Sequence, residues 1–182
     1  FALGDYVEEL EALINHLKLK DITLLGHSFG GRVATSYCLN NQVKKLILVS
    51  SAGIKRFSLR TTYKIYRYKV LKAFYSIFSK QKLAQLRSQS GSSDYRNASN
   101  IMKQTMSKVL KVNLKNDLKK LLCNTLILWG YYDSITPMSD GIEFRKSIKK
   151  SRLIVFFRSG HFPYLDEKRK FIKAITSGGL NE

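Results

Sequence analysis

The chain has few of the residues on which several protein classes depend. Of its 182 residues, two are cysteines, Cys38 and Cys123, which lie in apolar surroundings without His or Cys neighbours at metal-ligand spacing. We therefore predict buried, reduced thiols, no metal site and a reducing, cytoplasmic compartment. No apolar run approaches the roughly 18 residues that span a bilayer, and no signal-peptide pattern opens the chain, so we expect no transmembrane segment.

Acidic residues are also scarce. The chain has 13 Asp and Glu against 32 Lys and Arg, for a formal net charge of +19. Between residues 55 and 120, 17 basic residues stand against only Asp94 and Asp117, so +15 of the excess lies there. A basic stretch with interleaved aromatic residues can bind nucleic acid or an anionic lipid surface. Because no nucleic-acid-binding motif accompanies it, we interpret this stretch as a solvated helical surface and expect no nucleic-acid partner.

Short apolar runs of strand length alternate with amphipathic helical stretches. The predicted strands are residues 22–25, 46–49, 125–129 and 153–157, and the predicted helices include 5–20, 29–39 and a last one around 171–175. Such alternation predicts an α/β fold in which a mostly parallel sheet is flanked by helices on both faces.

The pattern changes between residues 54 and 118. Helical periodicity persists, but the charge rises and a Ser- and Gly-rich stretch interrupts it at residues 88–93. We interpret 54–118 as a helical insertion into one domain, whose core is formed by residues 1–53 and 119–182. The segment 93–96, Ser-Asp-Tyr-Arg, has no catalytic role that we can assign.

A G-x-S-x-G pattern stands where the first predicted strand turns into a helix. It consists of Gly26, His27, Ser28, Phe29 and Gly30. Such a turn strains the backbone of its serine, so we expect the positions two residues to either side to need glycine, which Gly26 and Gly30 provide. The hydroxyl then projects from the sheet edge as a candidate nucleophile. We expect His27 to point away from the serine's partners and at most to line or buttress the site.

A serine hydroxyl needs a base within hydrogen-bond reach. The candidates are the three histidines of the chain, His16, His27 and His161. His16 falls within the first predicted helix, whereas His161 follows the last predicted strand, and loops at the carboxyl ends of parallel strands build active sites. We therefore predict that His161 is the base.

The base in turn needs a carboxylate that orients it. Asp133 follows the strand 125–129, and Asp140 and Glu143 are rivals nearby. Because Asp140 falls near the start of the next helix, where an acid serves the first turn, we predict that Asp133 is the orienting acid and keep Asp140 in reserve.

Four segments together resemble the α/β-hydrolase superfamily, in particular its capped esterases and C–C hydrolases. They are residues 24–31 around Ser28, 46–53, 126–130 with Asp133 and Pro137, and 160–162 around His161. The resemblance implies a partial α/β-hydrolase fold with the triad order Ser, Asp, His, in which 54–118 is a cap that defines the substrate pocket.

Two departures from the family pattern matter. Asn124 stands where the family has a proline. The family also begins with further strands and a loop that supplies the second oxyanion-hole amide, and we expect this chain to lack them; the first amide would be that of Phe29. The resemblance therefore predicts a chain that is poorly active by itself and prone to aggregate through an unpaired sheet edge.

The resulting functional hypothesis is a serine hydrolase that cleaves a small apolar ester or a related carbonyl substrate and needs no cofactor. Three alternatives stay open: a C–C bond hydrolase of vinylogous diketones with the same triad, a hydrolase of amides or peptides, and a non-catalytic fragment or basic binding module. The residue pattern leaves the substrate and the oligomeric state undetermined.

Overall fold

The computed structural model describes residues 1–55, 59–88 and 97–177, and it contains a four-stranded parallel sheet. The strands are β1 (Thr23–His27), β2 (Lys45–Val49), β3 (Asn124–Gly130) and β4 (Ser151–Phe156). They lie side by side in chain order, with His27 opposite Val49 and Val49 opposite Leu128. The predicted parallel sheet is thereby confirmed.

Helices connect and follow these strands. In the described part of the chain they are, in order, α1 (Leu3–His16), α2 (Phe29–Cys38), α3 (Leu59–Phe78), α4 (Lys80–Ser88), α5 (Asn100–Val109), α6 (Met138–Ser147), α7 (Pro163–Asp166) and α8 (Lys168–Thr176). A 3₁₀ turn, Leu118–Lys120, precedes β3.

Each face of the sheet buries its own apolar cluster, because side chains alternate between the two faces along a strand. On one face, strand residues such as Leu46, Leu48 and Trp129 pack with residues of α1, α2 and α6. On the other face, alternate strand residues such as Ile47 and Leu128 pack with α8. Helices therefore cover both faces, as the alternating pattern predicts.

The chain divides into two compact units. The first consists of Phe1–Ile54 and Val112–Glu182 and holds the whole sheet, and the second is Lys55–Lys111. Leu114 and Leu118, which the sequence analysis counts with the insertion, belong to the core of the first unit. The role of the insertion as a cap stays a prediction.

The second unit contains α3, α4 and α5. Helix α3 carries no acidic residue, and several of its large apolar side chains are exposed, among them Tyr66, Phe74 and Ile77. Arg67 and Lys69 on the same helix are also exposed. The predicted break at 88–93 lies, beyond Ser88, outside the described residues, as does the segment 93–96.

One predicted helix boundary is wrong. We expected the first helix to reach residue 20, but α1 ends at His16, and Lys18 adopts a left-handed backbone conformation with φ of 50°. The Leu17 and Leu19 side chains are about half exposed. The apolar spacing in the sequence therefore continues beyond the last residue of α1 that packs against the core.

The sheet has β1 as one of its two edges, with a paired neighbour on one side only among the described residues. The Leu25 side chain on this strand is 51% exposed. In the described part of the chain, none of the helices combines the length and the apolar character needed to cross a bilayer.

Candidate active site

The three predicted catalytic residues follow three different strands at the same edge of the sheet. Ser28 comes directly after β1, Asp133 lies in the loop after β3, and His161 lies in the loop after β4. Because the strands are parallel, all three loops leave the sheet at its carboxyl edge, where α/β folds build their sites.

Ser28 has a strained backbone that is held by the neighbouring strand. Its φ of 51° and ψ of −115° lie in a region that residues other than glycine rarely adopt, at a cost of about 1–3 kcal/mol. The Ser28 N–H donates to Val49 O at 3.0 Å, and Ala52 N–H donates to Ser28 O at 2.9 Å. These bonds from β2 and the loop after it keep the serine in the sharp turn predicted from the sequence.

Packing within the turn requires glycine at position 26 but not at position 30. A Cβ atom at Gly26 would lie 2.5 Å from the Gly30 carbonyl oxygen and 2.6 Å from the Gly31 Cα, both backbone atoms that cannot move aside cheaply. At Gly30, by contrast, a Cβ would meet nothing within 4 Å, so the expectation that the turn requires glycine there is wrong on steric grounds. Gly31 is the second glycine that packing requires, because a Cβ there would overlap the Ser51 side chain.

His161 and Asp133 form a buried pair. The His161 Nδ1 lies 2.8 Å from Asp133 Oδ2, and the side chains are 7% and 0% exposed, respectively. With Nδ1–H donating to the carboxylate, the other ring nitrogen, Nε2, is left as a proton acceptor. This is the arrangement that a general base requires.

The Asp133 carboxylate is held by its own loop as well. Its Oδ1 accepts hydrogen bonds from the N–H groups of Ile135 and Thr136, each at 2.8 Å. Thr136 Oγ1 lies 2.8 Å from Asp133 Oδ2. Burial by itself raises the pKa of this carboxyl group, but the hydrogen bonds from His161, Thr136 and Ile135 outweigh burial, and the pKa of Asp133 is lowered overall.

The loop that carries Asp133 is anchored to the core through Trp129. The Trp129 side chain is fully buried, and its Nε1–H donates to Thr136 O at 2.8 Å. The Thr136 hydroxyl also lies 3.1 Å from Ser50 O, at the end of β2. The Asp133 carboxylate is therefore fixed relative to two strands.

The expectation that His27 points away from the serine's partners is wrong, because it lies against His161; it buttresses the site, as the same expectation allowed. Its Nε2–H donates to the His161 carbonyl oxygen at 2.9 Å, and the two ring centroids are 4.7 Å apart. The rings of Phe162 and Tyr164 also pack on it, at 5.3 and 5.2 Å. Burial lowers the pKa of His27, which favours the neutral ring.

The remaining catalytic geometry concerns the Ser28 hydroxyl and the Phe29 amide. Within the described residues, the Ser28 Oγ makes no hydrogen bond to the His161 ring, so their contact stays a prediction. Phe29 is the first residue of α2, where N–H groups have no intrahelical acceptor. Its N–H is therefore suited to stabilise an oxyanion beside Ser28.

The rival residues lie elsewhere. His16 is exposed at the end of α1, and Glu143 forms an ion pair with Lys115 at 3.2 Å. Asp140 lies in the first turn of α6, as predicted, whereas Asp133 is the acid that contacts the His161 ring.

Two further residues near the site were not predicted from the sequence. Thr136 supports Asp133, and its position three residues after an Asp is a common signal for a local turn, which could have identified it. Ser50 has a left-handed backbone with φ of 42° and a buried hydroxyl without a hydrogen-bond partner in the described structure, and no sequence signal marks it. Among the described residues, no group of three or more His, Cys, Asp or Glu side chains could hold a metal ion.

Comparisons with known proteins identify the fold family of the chain. The family model of the alpha/beta hydrolase fold matches residues 1–168. The chain is 29% identical over 208 aligned positions to a proline iminopeptidase of Heyndrickxia coagulans, covering 95% of this chain and 72% of that protein. It is 24% identical over 194 positions to a 2-hydroxy-6-oxo-2,4-heptadienoate hydrolase of Pseudomonas putida, covering 97% and 70%.

A solved structure gives the same result. An esterase from Exiguobacterium antarcticum superposes with a TM-score of 0.70 at 28% identity, over 97% of this chain and 73% of that one. These relatives are all hydrolases, which confirms the predicted enzyme class. Since the family model covers nearly the whole chain, the protein belongs to the alpha/beta hydrolase fold family.

Proposed function

We propose that the protein is a serine hydrolase in which Ser28 is the nucleophile, His161 the general base and Asp133 the orienting acid. The observation that carries the proposal is the buried 2.8 Å contact between His161 Nδ1 and Asp133 Oδ2, at the edge of the sheet where Ser28 follows β1. The strained backbone of Ser28 supports it, because strain of this kind clusters at active sites.

The first half of the proposed reaction forms an acyl-enzyme. His161 Nε2 takes the Ser28 proton as Oγ attacks the substrate carbonyl carbon, and the carbonyl oxygen becomes an oxyanion that accepts a hydrogen bond from Phe29 N–H. The tetrahedral intermediate collapses, the bond to the leaving alcohol breaks, and the alcohol takes the proton from His161. Asp133 stabilises the imidazolium that exists between these steps.

The second half releases the acyl group. His161 takes a proton from a water molecule, which attacks the acyl carbon, and the proton returns to Ser28 Oγ as the ester bond to the enzyme breaks. No cofactor enters either half of the proposed reaction.

A fluorophosphonate probe tests the nucleophile, because it labels only an activated serine. We expect Ser28→Ala to abolish labelling. Ser36→Ala is the matched control, since Ser36 lies on the same helix, α2, and its buried hydroxyl has no hydrogen-bond partner in the described structure. This variant should label as the parent does. Labelling retained in Ser28→Ala would refute the assignment.

For the substrate class, we propose a small apolar ester. The support is the likeness to the esterase at 28% identity. C–C bond cleavage is the second candidate, because the relative from Pseudomonas putida is a heptadienoate hydrolase at 24% identity. An aminoacyl amide is the third, by analogy with the proline iminopeptidase.

A substrate panel separates these three. We expect turnover of p-nitrophenyl acetate and butyrate to exceed that of proline p-nitroanilide and of a 2-hydroxy-6-oxo-dienoate. Faster turnover of either other substrate would overturn the ester proposal while leaving the Ser28 assignment intact. A cytoplasmic location and the role of 54–118 as a substrate-selecting cap remain proposals that this panel does not address.

A further inference from the structure

The two cysteines of the chain meet in one cavity, although they are far apart in sequence. Cys38 is the last residue of α2, and Cys123 directly precedes β3. Both line a cavity of about 370 Å³ in the first unit, together with residues 39–43, Lys120 and Leu122. The prediction of two buried thiols is confirmed for Cys38 but wrong for Cys123, whose side chain is partly exposed. Their common cavity is a finding of the structure.

The two thiols differ in access. Cys38 is 8% exposed and belongs to the apolar cluster on one face of the sheet, whereas Cys123 is partly exposed and packs against the same cluster. The Cys123 Sγ also lies 3.9 Å from Thr125 Oγ1. A small reagent that enters the cavity therefore reaches Cys123 first.

The thiols also differ in acidity, because they interact with each other. Interaction with the Cys38 thiol lowers the pKa of Cys123 below its ordinary value, and the hydroxyl of Thr125 adds to this effect. The same interaction, together with burial, raises the pKa of Cys38. Lys120 is the charged residue of the cavity lining, and its ammonium group is paired with Asp117 at 2.7 Å.

We propose that Cys123 and Cys38 form a dithiol modification site, which a low-molecular-weight disulfide converts into an intramolecular disulfide. The Cys123 thiolate attacks one sulfur of the reagent, the reagent S–S bond breaks, and one thiol leaves. Cys38 then loses its proton and attacks the Cys123 sulfur, which releases the second thiol. The protein gives up two electrons and two protons, and the reagent is reduced to two thiols.

The first step removes part of the obstacle to the second. Once Cys123 is capped as a mixed disulfide, it carries no negative charge, so its interaction no longer raises the pKa of Cys38, and burial alone does so. Cys38 then ionises more readily and resolves the intermediate, which holds the sulfur that it attacks in the same cavity. The division of roles follows, with Cys123 as the attacking thiol and Cys38 as the resolving thiol.

The site is separate from the candidate active site. Cys123 precedes the amino end of β3, whereas Asp133 follows its carboxyl end. The two sites therefore lie at opposite ends of the parallel strands. The proposal therefore does not rest on the proposed hydrolase chemistry.

Reaction of the native chain with 4,4′-dithiodipyridine at pH 7 tests the proposal. We expect each chain to release two equivalents of thiopyridone and to retain no adduct, with an intact mass lower by two hydrogens. Cys38→Ser should release one equivalent and retain the adduct on Cys123. Cys123→Ser should react at least roughly tenfold more slowly than Cys38→Ser, because it keeps only the buried thiol of raised pKa.

Peptide mapping of the oxidised parent chain gives a result that needs no variant. A peptide pair that joins Cys38 to Cys123 supports the proposal. Separate adducts on both cysteines, or thiols that do not react in the folded chain, overturn it. Equal reaction rates of the two single variants would overturn the assignment of Cys123 as the attacking thiol.

Discussion

Replacement of Asp133 by Asn is the most direct test of the orienting acid. Asn can still accept the Ile135 and Thr136 N–H groups through one oxygen, as Asp133 does now. Its amide nitrogen then takes the place of Oδ2, 2.8 Å from His161 Nδ1, so that a donor faces a donor. The ring must switch tautomer, and Nε2 then carries the proton and cannot accept another from Ser28.

The expected loss is large. Wrong-tautomer substitutions of this kind lower the rate of a serine triad by about 10⁴-fold. At about 1.36 kcal/mol per factor of ten, this is about 5.5 kcal/mol of transition-state stabilisation. Loss of one hydrogen bond to a charged group, as in Thr136→Val, amounts to about 1.5–3 kcal/mol and should slow the reaction by roughly 10- to 150-fold, well short of the effect of Asp133→Asn.

The rate of fluorophosphonate labelling measures the effect, and a urea unfolding curve for each variant shows that the chain is folded. Asp140→Asn is the matched control, because Asp140 is the rival acid and lies in the first turn of α6. We expect it to label at the parent rate. If Asp133→Asn labels as fast as the parent, or if Asp140→Asn is the slow variant, the assignment of Asp133 is wrong.

Three further predictions concern the residues around the site. Gly26→Ala should lower the free energy of unfolding by about 1–3 kcal/mol or more, because the added Cβ overlaps backbone atoms. Gly30→Ala should be neutral or stabilising by up to about 1 kcal/mol, because its Cβ has open space. Urea unfolding curves of the two variants measure the difference. His27→Phe should slow labelling roughly tenfold, since it removes the hydrogen bond to His161 O but keeps an aromatic ring, and His27→Gln should restore part of the rate; equal rates for both variants would contradict this role. The pKa of Asp133 is lowered in the folded state, so the ionised carboxylate stabilises the fold above about pH 4, and this stabilisation is lost as the pH falls through the folded-state pKa. Below about pH 4 the free energy of unfolding of Asp133→Asn should therefore decline less steeply than that of the parent.

Much of the first unit could be predicted from local patterns. The predicted strands differ from β1 to β4 by at most two residues at either end, because short apolar runs between polar turns mark buried strands well. The loops that carry Ser28, Asp133 and His161 follow from the same strands. The end of α1 was missed, since Leu17 and Leu19 continue the apolar spacing without being buried.

What could not be predicted are contacts between residues distant in sequence. The hydrogen bond from His27 to the His161 carbonyl and the common cavity of Cys38 and Cys123 each join separate elements. Gly30 shows the opposite error, because the sequence pattern suggested a steric need that the packing does not impose. The order of the strands decides such contacts, and a one-dimensional pattern does not contain it.

The way Ser28 is held separates the position of the proposed nucleophile from its chemical identity. Its main-chain bonds run to Val49, Ala52, Gly31 and Arg32, and none of them involves its own side chain. A thiol or a carboxylate at this position would therefore be displayed on the same scaffold, with only the reacting atom changed. The turn positions residue 28 independently of its side chain and can therefore present different attacking groups, which fits a fold able to host many chemistries.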